Sequence, residues 1–283
     1  MWGTSFLLIQ IVGRSIDPLG LAAGRVLIAA LALAAVSALQ GGRWPRGVRT
    51  WSKVAALAVI GQVLPFVLLA AGAKLTTSVD QALIMGAIPI VIFVAGRFVP
   101  PTEPWNAVTA AGLVLGVLGV AAALAAPVEV GGTSVWIGRG AALLAALGYG
   151  FATLVSRNLS RDLDTWTSAA SSMAVSAVLL VPAWLLFHPA YGTTPVAGQG
   201  IAGLVFLGLV NTGIVYVVYF RLIETAGATF AGMNNYIVPL VGLAGGALVL
   251  GEPVHLSALA GLGAILAGVV LVRRGHAQRP PPR

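Results

Sequence analysis

The chain contains no cysteine, and Asp, Glu, Lys and Arg together make up only 8% of it. The first absence excludes disulfides, thiolate catalysis and cysteine-based metal sites. The second excludes an ordinary soluble domain, in which about 25% of residues are charged. Histidine is scarce too: His188, His255 and His276 fall near loops or in the tail, so none offers a base to an intramembrane hydrolase. Glycine-rich cofactor loops, Walker A sequences, zinc-binding His-Glu pairs and Gly-x-Ser-x-Gly are all missing. No cofactor, no metal and no catalytic residue is expected.

What is present is apolar. Hydrophobic residues make up 58% of the chain, and mean hydropathy is +0.97. No aqueous fold hides that much apolar surface, so the expectation is an all-α polytopic membrane protein. The 36 glycines and 16 prolines fit lipid, where small residues let helices approach and neighbours satisfy a proline's freed carbonyl. A spanning helix needs about 20 apolar residues. Ten such runs fall near 1–16, 18–40, 51–73, 77–97, 105–127, 138–157, 165–187, 199–220, 228–250 and 255–273. Trp2-Gly3 stands almost at the initiator with no polar residues before it, which points to further residues ahead of the first span.

The second half repeats the first. Glu103-Pro104 opens a helix carrying Gly112 and Gly119; 149 residues on, Glu252-Pro253 opens another, with Gly261 and Gly268 at matching offsets. Pro89 answers to Pro239, Gly61 to Gly208 and Trp2-Gly3 to Tyr149-Gly150. Two domains follow, 1–127 and 138–273, with a disordered basic tail at 274–283. With the N-terminus in the cytoplasm, twelve basic residues fall inside and three outside (Arg14, Lys74, Arg139), while Arg25 alone lies within a span. That bias orients the chain with both termini cytoplasmic. The net charge of +8 is thus a topology signal and not a nucleic-acid footprint. Five spans per copy is an odd number, so the second copy enters from the opposite side. Inverted repeats are the architecture of alternating-access transporters.

Polar groups inside spans are costly and face a cavity or a partner helix. Gln62, Gln81 and the neighbouring Met85, then Asn211, Tyr216, Asn234 and Asn235, form the candidate set. Each amide either faces solute or makes an interhelical hydrogen bond; as a set they suggest a polar cavity near mid-membrane. Trp2 and Tyr149, at matching positions, either wall that cavity or anchor the helices, and Phe66, Tyr216 and Trp166 add aromatic surface. Arg25 either binds a substrate carboxylate or serves structure, and structure is the favoured reading. Glu103 and Glu252, each ahead of a proline at a helix start, are read as caps accepting the free N–H groups of the first turn. Gly112-x-x-x-Gly116 and Gly242-x-x-x-Gly246 allow close helix packing.

Trp2-Gly3-Thr4-Ser5-Phe6, Arg25, Pro89 and Pro239, and the paired Glu-Pro helix starts together resemble the EamA domain of the drug/metabolite transporter superfamily. The resemblance covers both copies and is nearest to bacterial inner-membrane exporters of amino acids, of the aromatic amino acid exporter (YddG-like) type. It implies ten helices around a cavity lined mainly by spans one, three, four, six, eight and nine, and export from the cytoplasm by a monomer. Tyr149-Gly150-Phe151 departs from a second Trp-Gly opening. The expected cargo is small amphipathic metabolites, amino acids above all. Sugar-phosphate carriage ranks second, because phosphate wants more cavity Lys or Arg. A non-transporting membrane partner ranks behind both. The residues leave proton exchange and facilitated diffusion equally open.

Overall fold

The computed structural model describes residues 2–42, 44–98, 106–125, 134–160, 162–187, 198–226 and 237–277. Among them the chain forms ten helical rods and no strand. In chain order these are α1 (Trp2–Val12), α2 (Pro18–Leu39), α3 (Val48–Gly72), α4 (Ser78–Gly96), α5 (Ala107–Leu124), α6 (Ser134–Leu159), α7 (Thr165–Phe187), α8 (Gly198–Thr225), α9 (Ile237–Leu250) and α10 (Leu256–Ala277). Seven are long and apolar enough to cross a membrane; α1, α9 and the apolar part of α10 are shorter.

Polar side chains set the starts. Asp17 accepts from the Gly20 amide at 2.8 Å with Pro18 in the first turn, and Thr77 accepts from Asp80 N at 3.1 Å. Asn106 and Asp164 do the same for α5 and α7, at 2.8 and 2.9 Å. Each satisfies an amide that the helix cannot reach, which matters more where no water competes.

Proline and π geometry interrupt the rods near their middles. Pro65 has no N–H to give the carbonyl of Gly61, and the preceding turn widens to a π-helix over Val59–Val63. A second π turn, Leu209–Ile214, lies midway along α8. In α4 a 3₁₀ turn, Met85–Ala87, precedes Pro89. Pro239 is buried in the first turn of α9.

Helix packing follows the glycines. A Cβ on Gly112 would meet the Gly268 carbonyl oxygen at 2.5 Å, and one on Gly268 would meet that of Gly112 at the same distance. Gly119 and Gly261 stand in the same relation, at 2.7 and 2.5 Å. The early glycine of α5 touches the late glycine of α10, so the two helices run antiparallel in backbone contact. Gly3 abuts Val241 as its repeat partner Gly150 abuts Val91. Beyond these, α2 packs on α7, α1 on α9, and α6 on α4.

Several boundaries move. α6 begins at Ser134, ahead of the expected 138, which lifts Arg139 out of the loop and into a buried helical turn. α8 extends past 220, so Arg221 and Glu224 ride on a helix and pair at 3.0 Å. The tail expected to be disordered from 274 is helical to Ala277, because Asn106 Nδ2 donates to the Gly275 carbonyl at 2.7 Å. Glu103, Asn234, Asn235 and the tail from 278 lie outside the described residues.

Candidate functional site

A cavity opens between two apolar clusters. One gathers residues of α1, α3, α4, α6 and α9; the other joins α2, α3, α6, α7 and α8. Trp2 and Tyr149, equivalent by the repeat, each pack against both clusters. Space for the centres of water-sized molecules amounts to about 60 Å³. One water needs about 10–15 Å³ on that measure, so this conformation holds a few waters.

Aromatic rings make the wall. Trp2 lies 5.2 Å from Tyr219 and 6.0 Å, edge-on, from Tyr216 by ring centroids. Tyr216 meets Phe66 at 6.5 Å. The Tyr216 hydroxyl donates to the Gly61 carbonyl at 2.9 Å, supplying the hydrogen bond that Pro65 cannot. Tyr219 donates to Thr153 Oγ1 at 2.7 Å, and Thr153 donates to the Tyr149 carbonyl at 2.9 Å.

Into this wall points one cation. Arg25 is 2% exposed, and its guanidinium carbon stands 3.8 Å from the centroid of Phe66. Its Nε and Nη2 donate to Thr212 Oγ1 at 3.1 and 3.0 Å. Thr212 belongs to the π turn of α8 and passes its own proton to the Leu207 carbonyl at 2.8 Å. Among the described residues, those lining the cavity include neither carboxylate nor histidine.

Of the residues singled out from sequence, the structure brings Trp2, Phe66, Met85, Tyr149 and Tyr216 together at the cavity. It adds Arg25, for which structure was the favoured reading. Gln62, Gln81 and Asn211 lie elsewhere, as helix ties. Gln62 donates to Ser172 at 3.0 Å and accepts from Ser176 at 2.6 Å, joining α3 to α7. Gln81 donates to the Leu69 carbonyl at 2.9 Å, and Asn211 to the hydroxyls of Thr4 and Ser5 at 2.9 and 3.0 Å. A buried amide takes the nearest polar partner, and in these three cases that partner is a neighbouring helix. Trp166 packs into the α2–α7 cluster instead of the cavity. Thr153 and Ser156 were missed, although their spacing of four and seven from Tyr149 puts them on its helix face.

Glu252 caps a helix other than its own. Its carboxylate accepts from the amides of Ser78 and Val79 and from the Ser78 hydroxyl, each at 2.9 Å, at the start of α4. Beside it, Asp80 and Arg139 form a buried ion pair at 2.7 Å; Thr76 donates to Asp80 at 2.8 Å and Arg139 to the Leu124 carbonyl at 2.6 Å. Gln10 bonds the Thr76 carbonyl at 2.8 Å, and Lys74 bonds that of Gly13. One buried ion pair and the hydrogen bonds around it tie α1, α4, α5 and α6 together at this end of the bundle.

Among the described residues, apolar helices enclose an aromatic pocket, and seven of them are long and apolar enough to cross a membrane. The EamA-like transporter family model matches residues 1–125 and 136–274, and the chain belongs to that family. A probable terminal-alkyne amino-acid exporter of Streptantibioticus cattleyicolor is 27% identical over 96% of this chain and 90% of its own. The uncharacterized transporter YoaV of Bacillus subtilis is 24% identical over 96% and 92%. A WAT1-related chloroplastic protein of Arabidopsis thaliana is also 24% identical, and this chain spans 66% of its length. A solved crystal structure superposes with a TM-score of 0.72 at 18% identity, over 98% of this chain and 96% of that one. The family is one of transporters, not enzymes, and membrane embedding and small-molecule cargo come with it.

Proposed function

We propose that the protein exports small amphipathic metabolites, amino acids with apolar or aromatic side chains among them, across a bacterial inner membrane by alternating access. The observation that carries this reading is an aromatic cavity walled jointly by α1–α4 of the first half and α6, α8 and α9 of the second. Two family matches in one chain support a duplication into five-helix halves, 1–127 and 138–273. The crossed glycine pairs of α5 and α10 support inversion: in a two-fold contact, residue i meets j′ while j meets i′. One scaffold then yields two shapes, each half taking its partner's conformation.

The relative that exports an amino acid at 27% identity favours such cargo, and the rings favour an aromatic one. Among the described residues of the lining Arg25 is the one basic residue, which suits phosphorylated cargo less well. With both termini cytoplasmic, the charged end around Asp80 faces outward and the Trp2–Tyr219 end faces in. The protein works as a monomer, because both halves of the site come from one chain. Counterflow in proteoliposomes against a panel of amino acids, related acids and phosphorylated sugars tests the reading. Saturable exchange of an aromatic or branched compound is expected; no exchange of any of them sinks it.

A further inference from the structure

We infer that Arg25 receives the carboxylate of the cargo, and that the cavity prefers organic monoanions to zwitterions of the same shape. This rests on the transport reading above and narrows its substrate class.

The inference comes from two buried arginines in different circumstances. Arg139 has Asp80 at 2.7 Å and the Leu124 carbonyl at 2.6 Å. Arg25 is as deeply buried and, among the described residues, pairs with no carboxylate. An uncompensated cation in a low-dielectric interior is costly, and such residues mark ligand paths. At a cavity wall the cost is repaid when a ligand supplies the opposite charge.

The guanidinium is also aimed. Thr212 Oγ1 directs its proton to Leu207, so toward Arg25 it acts only as an acceptor, and it takes the Nε–Nη2 edge. Phe66 holds the plane from one face. Among the described residues Nη1 has no protein partner, so part of the fork remains for a second planar group. A carboxylate matches that fork with two parallel hydrogen bonds, and the ordering is complete before it arrives.

The rest of the lining says what the cargo lacks. Thr153 and Ser156 donate to carbonyls of their own helix, Tyr216 donates to Gly61, and Tyr219 donates to Thr153. Among the described residues a ligand ammonium finds ring faces and neutral lone pairs here, but no anion. A zwitterion therefore carries its own cation into a site that is already positive, whereas a monoanion leaves the site neutral.

Four compounds sharing one ring separate the terms: phenylpyruvate, phenylalanine, phenylethylamine and phenylacetamide. In thermal-shift titrations of the purified full chain, phenylpyruvate should half-saturate at about ten-fold lower concentration than phenylalanine, and phenylethylamine should not stabilise. Arg25→Gln should raise the phenylpyruvate midpoint by at least about ten-fold and erase its advantage over phenylacetamide. Thr212→Val keeps the charge and loses only its orientation, so a smaller rise of about three-fold is expected and does not depend on Arg25→Gln folding. The assignment is overturned if phenylalanine binds better than phenylpyruvate, if no carboxylate stabilises the protein, or if Thr212→Val and Arg25→Gln both keep the wild-type order. Counterflow reads the other question. Binding in the expected order without exchange sinks the transport reading and leaves Arg25 in place; exchange without that order does the reverse.

Discussion

Arg25 and Arg139 are both about 95% or more buried, yet Arg139 pairs with a carboxylate while Arg25 lines the cavity and, among the described residues, pairs with none. Arg139 meets a carboxylate, a carbonyl and the face of Trp136 at 5.0 Å, so its charge is consumed by the fold. Arg25 meets a hydroxyl and a ring, and its charge is left over. What decides a buried arginine's role is therefore its counter-charge and not its depth. The same contrast divides the two π turns. That of α3 presents Gln62 to two serines of α7, a neutral and satisfied tie between halves. That of α8 presents Thr212 to Arg25 of α2, the corresponding helix of the other half.

The sharpest way to break this contrast is Asp80→Asn. It leaves Arg139 buried without its anion, and breaking one side of such a pair costs about 3–5 kcal/mol. Chemical or thermal unfolding in detergent should show that loss. A cost below about 1 kcal/mol would mean that water already screens this end, and that the two arginines differ less than their contacts say.

Next in size are the glycines, where the halves have not diverged. Gly112→Ala and Gly261→Ala, at matching offsets in the two copies, each drive a methyl to 2.5 Å from a carbonyl oxygen of the opposing backbone. Overpacking of this kind costs about 1–3 kcal/mol. The two losses should match, and the double variant should lose less than their sum, because both push the same two helices apart. Unequal losses would argue against a two-fold contact. Glu252→Gln should cost about 1–2 kcal/mol, since it removes the charge from three hydrogen bonds at the start of α4.

Much of the scaffold was legible and much of the site was not, for identifiable reasons. Apolar runs and Asp17-Pro18 mark spans because lipid demands length and caps demand particular residues. The crossed glycines follow from a repeat that can be counted along the chain. Gln62, Gln81 and Asn211 bond to neighbouring helices, and their sequence context could not say so, because cost in lipid shows that a polar group has a partner, not which one. Glu252 reads as a cap from its place before Pro253, but the helix that it caps is brought beside it only by the fold. Asp80 and Arg139, 59 residues apart, look like a span end and a loop until α6 starts at Ser134. The π turns leave no mark of their own, although Pro65 accounts for one of them.

The smallest expected effect carries the most information. Arg25→Gln removes hydrogen bonds from a charged group, worth about 1.5–3 kcal/mol, and a ring contact worth about 0.5–2 kcal/mol. It also removes the penalty of burying an unpaired cation, several kcal/mol in the opposite direction. The amide of glutamine can still donate to Thr212. These terms nearly cancel, so the folded protein should change in stability by less than about 1 kcal/mol while losing its carboxylate preference. Asp80→Asn should do the opposite, costing stability and leaving the order of ligands intact wherever the protein stays folded. If Arg25→Gln instead unfolds the bundle as readily as Asp80→Asn does, then both arginines are girders, and the charge at the cavity wall belongs to the fold after all.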